Sequence, residues 1–179
     1  MDYDYIVEPK SRRDLRMLAY LLRKLLQLTE EIYFPIVELL DILCEMYPKF
    51  SYAIVEDNVL PPNVHADTDI VHHHIRIKES VYDGASKGNG RDRMTIAHEI
   101  GHYFTLCCCG FKLRRQYGNR KVKDYQDPEW QAKCFAGELM ISRDLTYNMS
   151  PDMIVEKCGV SYDAACYQYE RMHEKKRVN

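Results

Sequence analysis

Two histidines four residues apart, with a glutamate beside the first, restrict this chain more than any other stretch: His98-Glu99-Ile100-Gly101-His102. On an α-helix, residues four apart lie about 40° apart in projection, so both imidazoles leave one face. That spacing brings two ring nitrogens to about 2.0–2.1 Å from a single zinc ion. Glu99 sits on the flank of the same turn, where it can accept a proton from water attacking a carbonyl. The flanking residues favour the helix this requires. Asn89 is a candidate cap, with Asp92 three residues on in a variant of the capping box. Met94, Ile96, Ala97, Ile100, Tyr103 and Phe104 make an apolar stripe beside the ligand face, and the pattern predicts a helix from Arg91 to Leu106. Gly101 costs roughly 1 kcal/mol against Ala inside a helix. Such a glycine fits a place where another backbone or a ligand approaches closely.

A hydrolytic zinc takes three protein ligands and keeps one position open. The downstream candidates for the third are Asp127, Glu129, Glu138 and the cysteines. Asp127-Pro128-Glu129 opens a second apolar-periodic segment, expected to be helical from Glu129 to about Met140, a rigid mount for a carboxylate. Ala132, Phe135, Ala136, Leu139 and Met140 form its buried stripe, and a ligand at Glu129 leaves them free for the core. Glu138 is expected on the solvated face.

Composition narrows the setting. The chain has 179 residues, enough for one domain with a real core. Its 25 Lys+Arg against 27 Asp+Glu argue against a dedicated nucleic-acid binder. No stretch approaches the ~18 apolar residues of a membrane span, and the acidic start does not read as a signal peptide. Seven cysteines is an odd number, three of them (Cys107-Cys108-Cys109) are consecutive, and there is no C-x-x-C pair. They are expected to be reduced thiols of a cytoplasmic protein, packing as small apolar side chains.

Elsewhere, Ser11 to Gln27 has helical spacing with Ser11 as N-cap, and a second helix is expected from Pro35 to Tyr47. Phe50–Glu56 and His72–Lys78 read as strands, separated by a long connection holding Pro61-Pro62-Asn63. Gly84 to Gly90 reads as a turn segment and Gly110 to Asp127 as a basic loop. Two helices are expected in the tail, one from Ser150-Pro151 to Gly159 and one from Ser161 to about Lys175.

Two blocks in fixed order carry a resemblance to a known family. Asp92-Arg-Met-Thr-Ile-Ala-His-Glu-Ile-Gly-His102 and Glu129-Trp-Gln-Ala-Lys-Cys-Phe-Ala-Gly-Glu-Leu-Met140 resemble the motifs of the ImmA/IrrE zinc metallopeptidases, over roughly Tyr52 to Leu145. The resemblance implies a zincin architecture, one zinc ion per chain held by His98, His102 and Glu129, and Glu99 as general base. It also implies cleavage of a protein partner, typically a helix-turn-helix repressor controlling a mobile element or a stress response. Two positions depart from the family pattern. Lys133 stands where Asn or Asp is usual and cannot accept a hydrogen bond from a histidine, and Ile141 stands where Pro is usual.

The expected fold class is α+β, mostly helical, with about three strands in an antiparallel or mixed sheet beside the zinc helix. Its single domain spans 1–179, with a catalytic core over about 50–145 and a helical pair over about 150–175. The expected function is that of an intracellular zinc endopeptidase acting on a specific protein. A non-catalytic regulatory or antirepressor protein with a structural or vestigial zinc site is the alternative. Three further features carry less. His72-His73-His74 would line a cleft more readily than hold a second metal. The basic run Lys112–Lys123 reads as a solvated loop. The tail has a helix-turn-helix rhythm but few base-reading side chains, so packing or partner docking is expected of it rather than DNA reading.

Overall fold

The computed structural model of the chain describes residues 5–108, 114–115 and 123–174. Its elements run β1 (Tyr5–Ile6), α1 (Arg12–Leu25), α2 (Glu38–Met46), β2 (Ser51–Val55), β3 (Ala66–Asp69), β4 (His74–Lys78), α3 (Glu79–Ser86), α4 (Gly90–His102), β5 (Arg114–Arg115), α5 (Pro128–Met140), α6 (Arg143–Thr146), α7 (Pro151–Cys158) and α8 (Tyr162–His173). The fold is α+β and mostly helical, with a three-stranded mixed sheet, as expected.

Side-chain caps fix the starts of α1, α4, α5, α7 and α8. Ser11 and Asp14 close a reciprocal capping box on α1. Asn89 accepts from the backbone of Arg91 and Asp92 at the start of α4, while the Asp92 carboxylate lies over Gly84. Asp127 caps α5, with Pro128 in its first turn. Ser150 and Ser161 cap α7 and α8, and α7 ends on Gly159 in the left-handed conformation (φ 62°).

The strands depart further from expectation. The sheet order is β2-β4-β3. β4 runs parallel to β2, pairing Ser51 with His74 and Val55 with Lys78, and antiparallel to β3, pairing Ala66 with Ile77 and Asp69 with His74. Only His74 of the three consecutive histidines is in a strand; His72 and His73 lie in the preceding turn. The strand read at His72–Lys78 is the central one of the sheet. The edge is β3, Ala66-Asp67-Thr68-Asp69, which has no alternation of apolar residues and is held by its ladder with β4. The expected turn at Gly84–Gly90 is also shorter, because α3 continues to Ser86.

Beyond His102 the α-pattern widens into a π-helical segment, Tyr103–Cys108. There the Thr105 hydroxyl donates to the Gly101 carbonyl at 2.8 Å, taking the acceptor that an α-helical N–H would use. One apolar cluster includes Leu15 and Leu22 of α1, Ile75 and Ile77 of β4, Ile96 and Ile100 of α4, Phe135 and Leu139 of α5, and Met172 of α8. Its centre is the crossing of α4 and α5, which also carries the expected metal ligands.

Candidate metal centre

α4 presents His98 and His102 from one face, as their spacing requires, with the rings edge-to-face and centroids 4.6 Å apart. Their Nε2 atoms are 3.1 Å apart. Glu129, in the first turn of α5, brings one carboxylate oxygen to 3.2 Å from His98 Nε2 and the other to 3.2 Å from His102 Nε2. Ligand atoms at about 2.0–2.1 Å from a tetrahedral zinc stand roughly 3.3 Å from one another, so these spacings suit such an ion. Among the described residues, His98, His102 and Glu129 form the group able to hold a metal. The Glu129 carboxyl is held well below the ordinary carboxylate range, first by its hydrogen bond with His102 and then by that with His98.

Of the other candidate third ligands, Asp127 is spent on capping: its carboxylate accepts from the Glu129 backbone N–H at 2.9 Å. Glu138 is not on a solvated face. Its side chain has no exposure and pairs with Arg12 at 3.1 Å and Arg16 at 2.7 Å, both from α1. Burial of a carboxylate needs such partners, and they lie more than a hundred residues upstream. Cys134 and Cys158 are buried, and burial pushes their thiols up to about 12 and about 11.

The close approach expected at Gly101 is made by α5. A Cβ on Gly101 would stand 2.6 Å from the Ala132 carbonyl oxygen. The glycine lets the two ligand-bearing helices touch backbone to backbone one residue before His102.

Glu99 is 7% exposed. Thr68 on β3 donates its hydroxyl to Glu99 Oε2 at 2.7 Å, and Thr68 Oγ1 also lies 3.2 Å from the Glu99 backbone carbonyl oxygen. Thr68 was not among the residues picked out from the sequence. A signal would have required knowing that Ala66–Asp69 is a strand and that it flanks α4. His72, by contrast, is exposed and pairs with Asp69 at 2.7 Å, away from the triad.

These groups lie in a cleft of about 1170 Å³. α4 and α5 form its floor, with Met94, His98, His102, Glu129, Trp130 and Lys133. One wall is the segment 63–70 including β3, and the other is the tail, through Ser161, Asp163, Ala164, Tyr167 and Gln168 of α8 and its cap. Buried Arg93 of α4 fixes the α7–α8 turn by donating to the Gly159 carbonyl at 2.8 Å, and it also reaches the Phe34 carbonyl at 2.7 Å and the Tyr33 hydroxyl. Arg12 anchors the other side of α8 through Tyr167 and Gln168. The tail is thus a cleft wall as well as a packed pair. Most of the basic run, and Cys109, fall outside the described residues. Among those residues no helix is long and apolar enough to cross a membrane.

No protein-family model and no curated protein matches the chain. A solved Mycobacterium tuberculosis transcriptional regulator superposes on 92% of it with a TM-score of 0.60 and 14% identity. That likeness shows the fold alone. The chain spans 48% of the regulator's length, about half.

Proposed function

We propose that the chain is a zinc-dependent endopeptidase of the ImmA/IrrE type that cleaves a partner protein inside the cell, a transcriptional repressor being the expected substrate. The observation that carries this reading is the convergence of His98, His102 and Glu129 beside a glutamate whose carboxylate is held by a separate hydrogen bond. A structural zinc site is closed by four ligands, whereas three ligands leave a position for chemistry. When bound, zinc supplies Lewis acidity toward a carbonyl oxygen and lowers the pKa of water.

The chain's own residues divide the remaining work. Thr68 occupies Glu99 Oε2 and leaves Oε1 to take a proton from the attacking water. Glu99 then passes that proton to the leaving amine. Among the described residues β3 pairs on one side only, so an extended peptide can add to its open edge and lie across the cleft floor. α8 lines the same cleft. DNA reading by the tail is less favoured, because α8 turns Asp163, Ala164 and Tyr167 toward the cleft.

Two variants test the reading. Glu99→Gln should keep metal and fold but lose cleavage of a co-encoded repressor, read by intact mass. His98→Ala should lose the metal, read by elemental analysis. Biological function retained by Glu99→Gln but lost in His98→Ala would favour the alternative, a binding protein with a structural zinc.

A further inference from the structure

We infer that the outward face of α1 is a self-pairing surface, on which a second copy of this chain docks with its own α1 running antiparallel. α1 turns Leu15, Ala19 and Leu22 into the core. Its opposite side is apolar as well: Met17, Tyr20, Leu21 and Leu25 are from 44% to 57% exposed. Met17, Leu21 and Leu25 are successive i, i+4 positions. They form one ridge about 12 Å long, with Tyr20 beside it. None of the four lines the cleft. α1 meets α5 from its other side, through Arg12 and Arg16 to Glu138. The inference therefore does not depend on what the cleft does.

Symmetry, charge and area select a second copy as the occupant. An interface between identical copies needs one patch that complements itself. With Leu21 on the two-fold axis and the helices antiparallel, Met17 meets the partner's Leu25, and the ridge is covered along its length. Exposed Arg13 stands at the N-terminal end of this face, and exposed Glu30 and Glu31 follow the C-terminal end of the helix. An antiparallel pair sets each cationic end beside the partner's acidic end and opposes the two helix dipoles in the favourable sense. In the same register Lys24 comes within one turn of the partner's Asp14, whereas a parallel pair would set Arg13 against the partner's Arg13. Four half-exposed side chains of this size offer roughly 400 Å² of apolar surface per copy, or about 800 Å² for two. At the ~65% apolar content of homodimer interfaces this implies about 1,200 Å² in all. That clears the ~1,000 Å² of a specific contact and falls short of the ~2,000 Å² at which obligate dimers begin, so the pair is a reversible one. A lipid surface fits the face less well, because Asp14, Glu30 and Glu31 would meet its anionic headgroups.

Sedimentation velocity of the full chain, from about 1 μM to about 200 μM, tests the pairing. A reversible monomer–dimer equilibrium is expected, half-associated at about 1–50 μM. Leu21→Glu places two carboxylates on the axis and should weaken association at least about 100-fold, since each substitution counts in both copies. Arg13→Glu alone should weaken it about three- to tenfold. Adding Glu30→Lys and Glu31→Lys to Arg13→Glu should restore wild-type association. All of these positions are exposed, so the variants should melt with the wild type, which calorimetry checks. A chain that stays monomeric throughout the range would overturn the pairing, even if the same face captures another protein or a phosphatidylserine vesicle. So would a dimer that Leu21→Glu leaves intact, or one that the charge swap fails to rescue.

Discussion

Replacing Gly101 with alanine tests whether the α4–α5 contact sets the geometry of the metal centre. Helix propensity alone says the change should stabilise α4 by roughly 1 kcal/mol. Packing says the opposite. The new Cβ would meet the Ala132 carbonyl oxygen at 2.6 Å and two further Ala132 backbone atoms at 3.1 Å. Real contacts of this kind start at 3.0–3.4 Å, so the helices must part by about 0.4–0.8 Å. The obstacle is backbone on an adjoining helix, which cannot rotate away as a side chain would. Overpacking of this sort costs about 1–3 kcal/mol, and a backbone obstacle belongs at the upper end. The net expectation is a loss of about 1–2 kcal/mol, or roughly 3–6 °C in Tm for a domain of this size. The metal suffers separately. His98 and His102 ride on α4 and Glu129 on α5, so the parting moves one ligand relative to two, beyond the ~0.2 Å tolerance of a zinc site. A fall in zinc affinity of about 10–100-fold is expected. Differential scanning calorimetry of the metal-free chain and competition with a zinc chelator read the two effects. A variant at least as stable as the wild type and with zinc affinity within about twofold would refute the reasoning.

Thr68→Val keeps shape but removes the donor to Glu99; kcat should fall about 10–100-fold with KM little changed, and Thr68→Ser should restore it. Equal loss in the serine variant would show that the hydroxyl is not what matters. Glu138→Ala leaves Arg12 and Arg16 facing a vacated buried site and should cost about 2–3 kcal/mol in urea unfolding, below the ~3–5 of a fully buried pair because both arginines reach water. Cys134 and Cys158 should not react with a thiol reagent at pH 8 until the chain unfolds, since burial raises both. The sign of the linkage follows: the neutral thiols favour the folded state below the ordinary thiol pKa of about 8.5, and that contribution is lost as pH rises through about 11 and about 12. Urea midpoints that rise between pH 9 and 11 would contradict it.

What could be read from residues alone was what short range decides. The caps at Ser11, Asn89, Ser150 and Ser161 act within three residues of themselves, so their helices were legible. Two histidines one turn apart must share a face, and the structure brings to them the acidic residue that opens the next apolar-periodic helix, a group that could hold a metal. Tertiary structure alone decided the rest, because there the partners lie far apart in the chain. β3 is a strand by virtue of its pairing with β4, not its composition, and only that pairing brings Thr68 to Glu99. Glu138 is charged and therefore looks like surface; two arginines from α1, 126 and 122 residues away, make its burial affordable. The tail reads as an ordinary helical pair until Arg93 and Arg12 pin it over the cleft. A spacing of four along one helix specifies a direction, but the distance between two helices depends on what packs between them, and at this site that is Gly101 against Ala132.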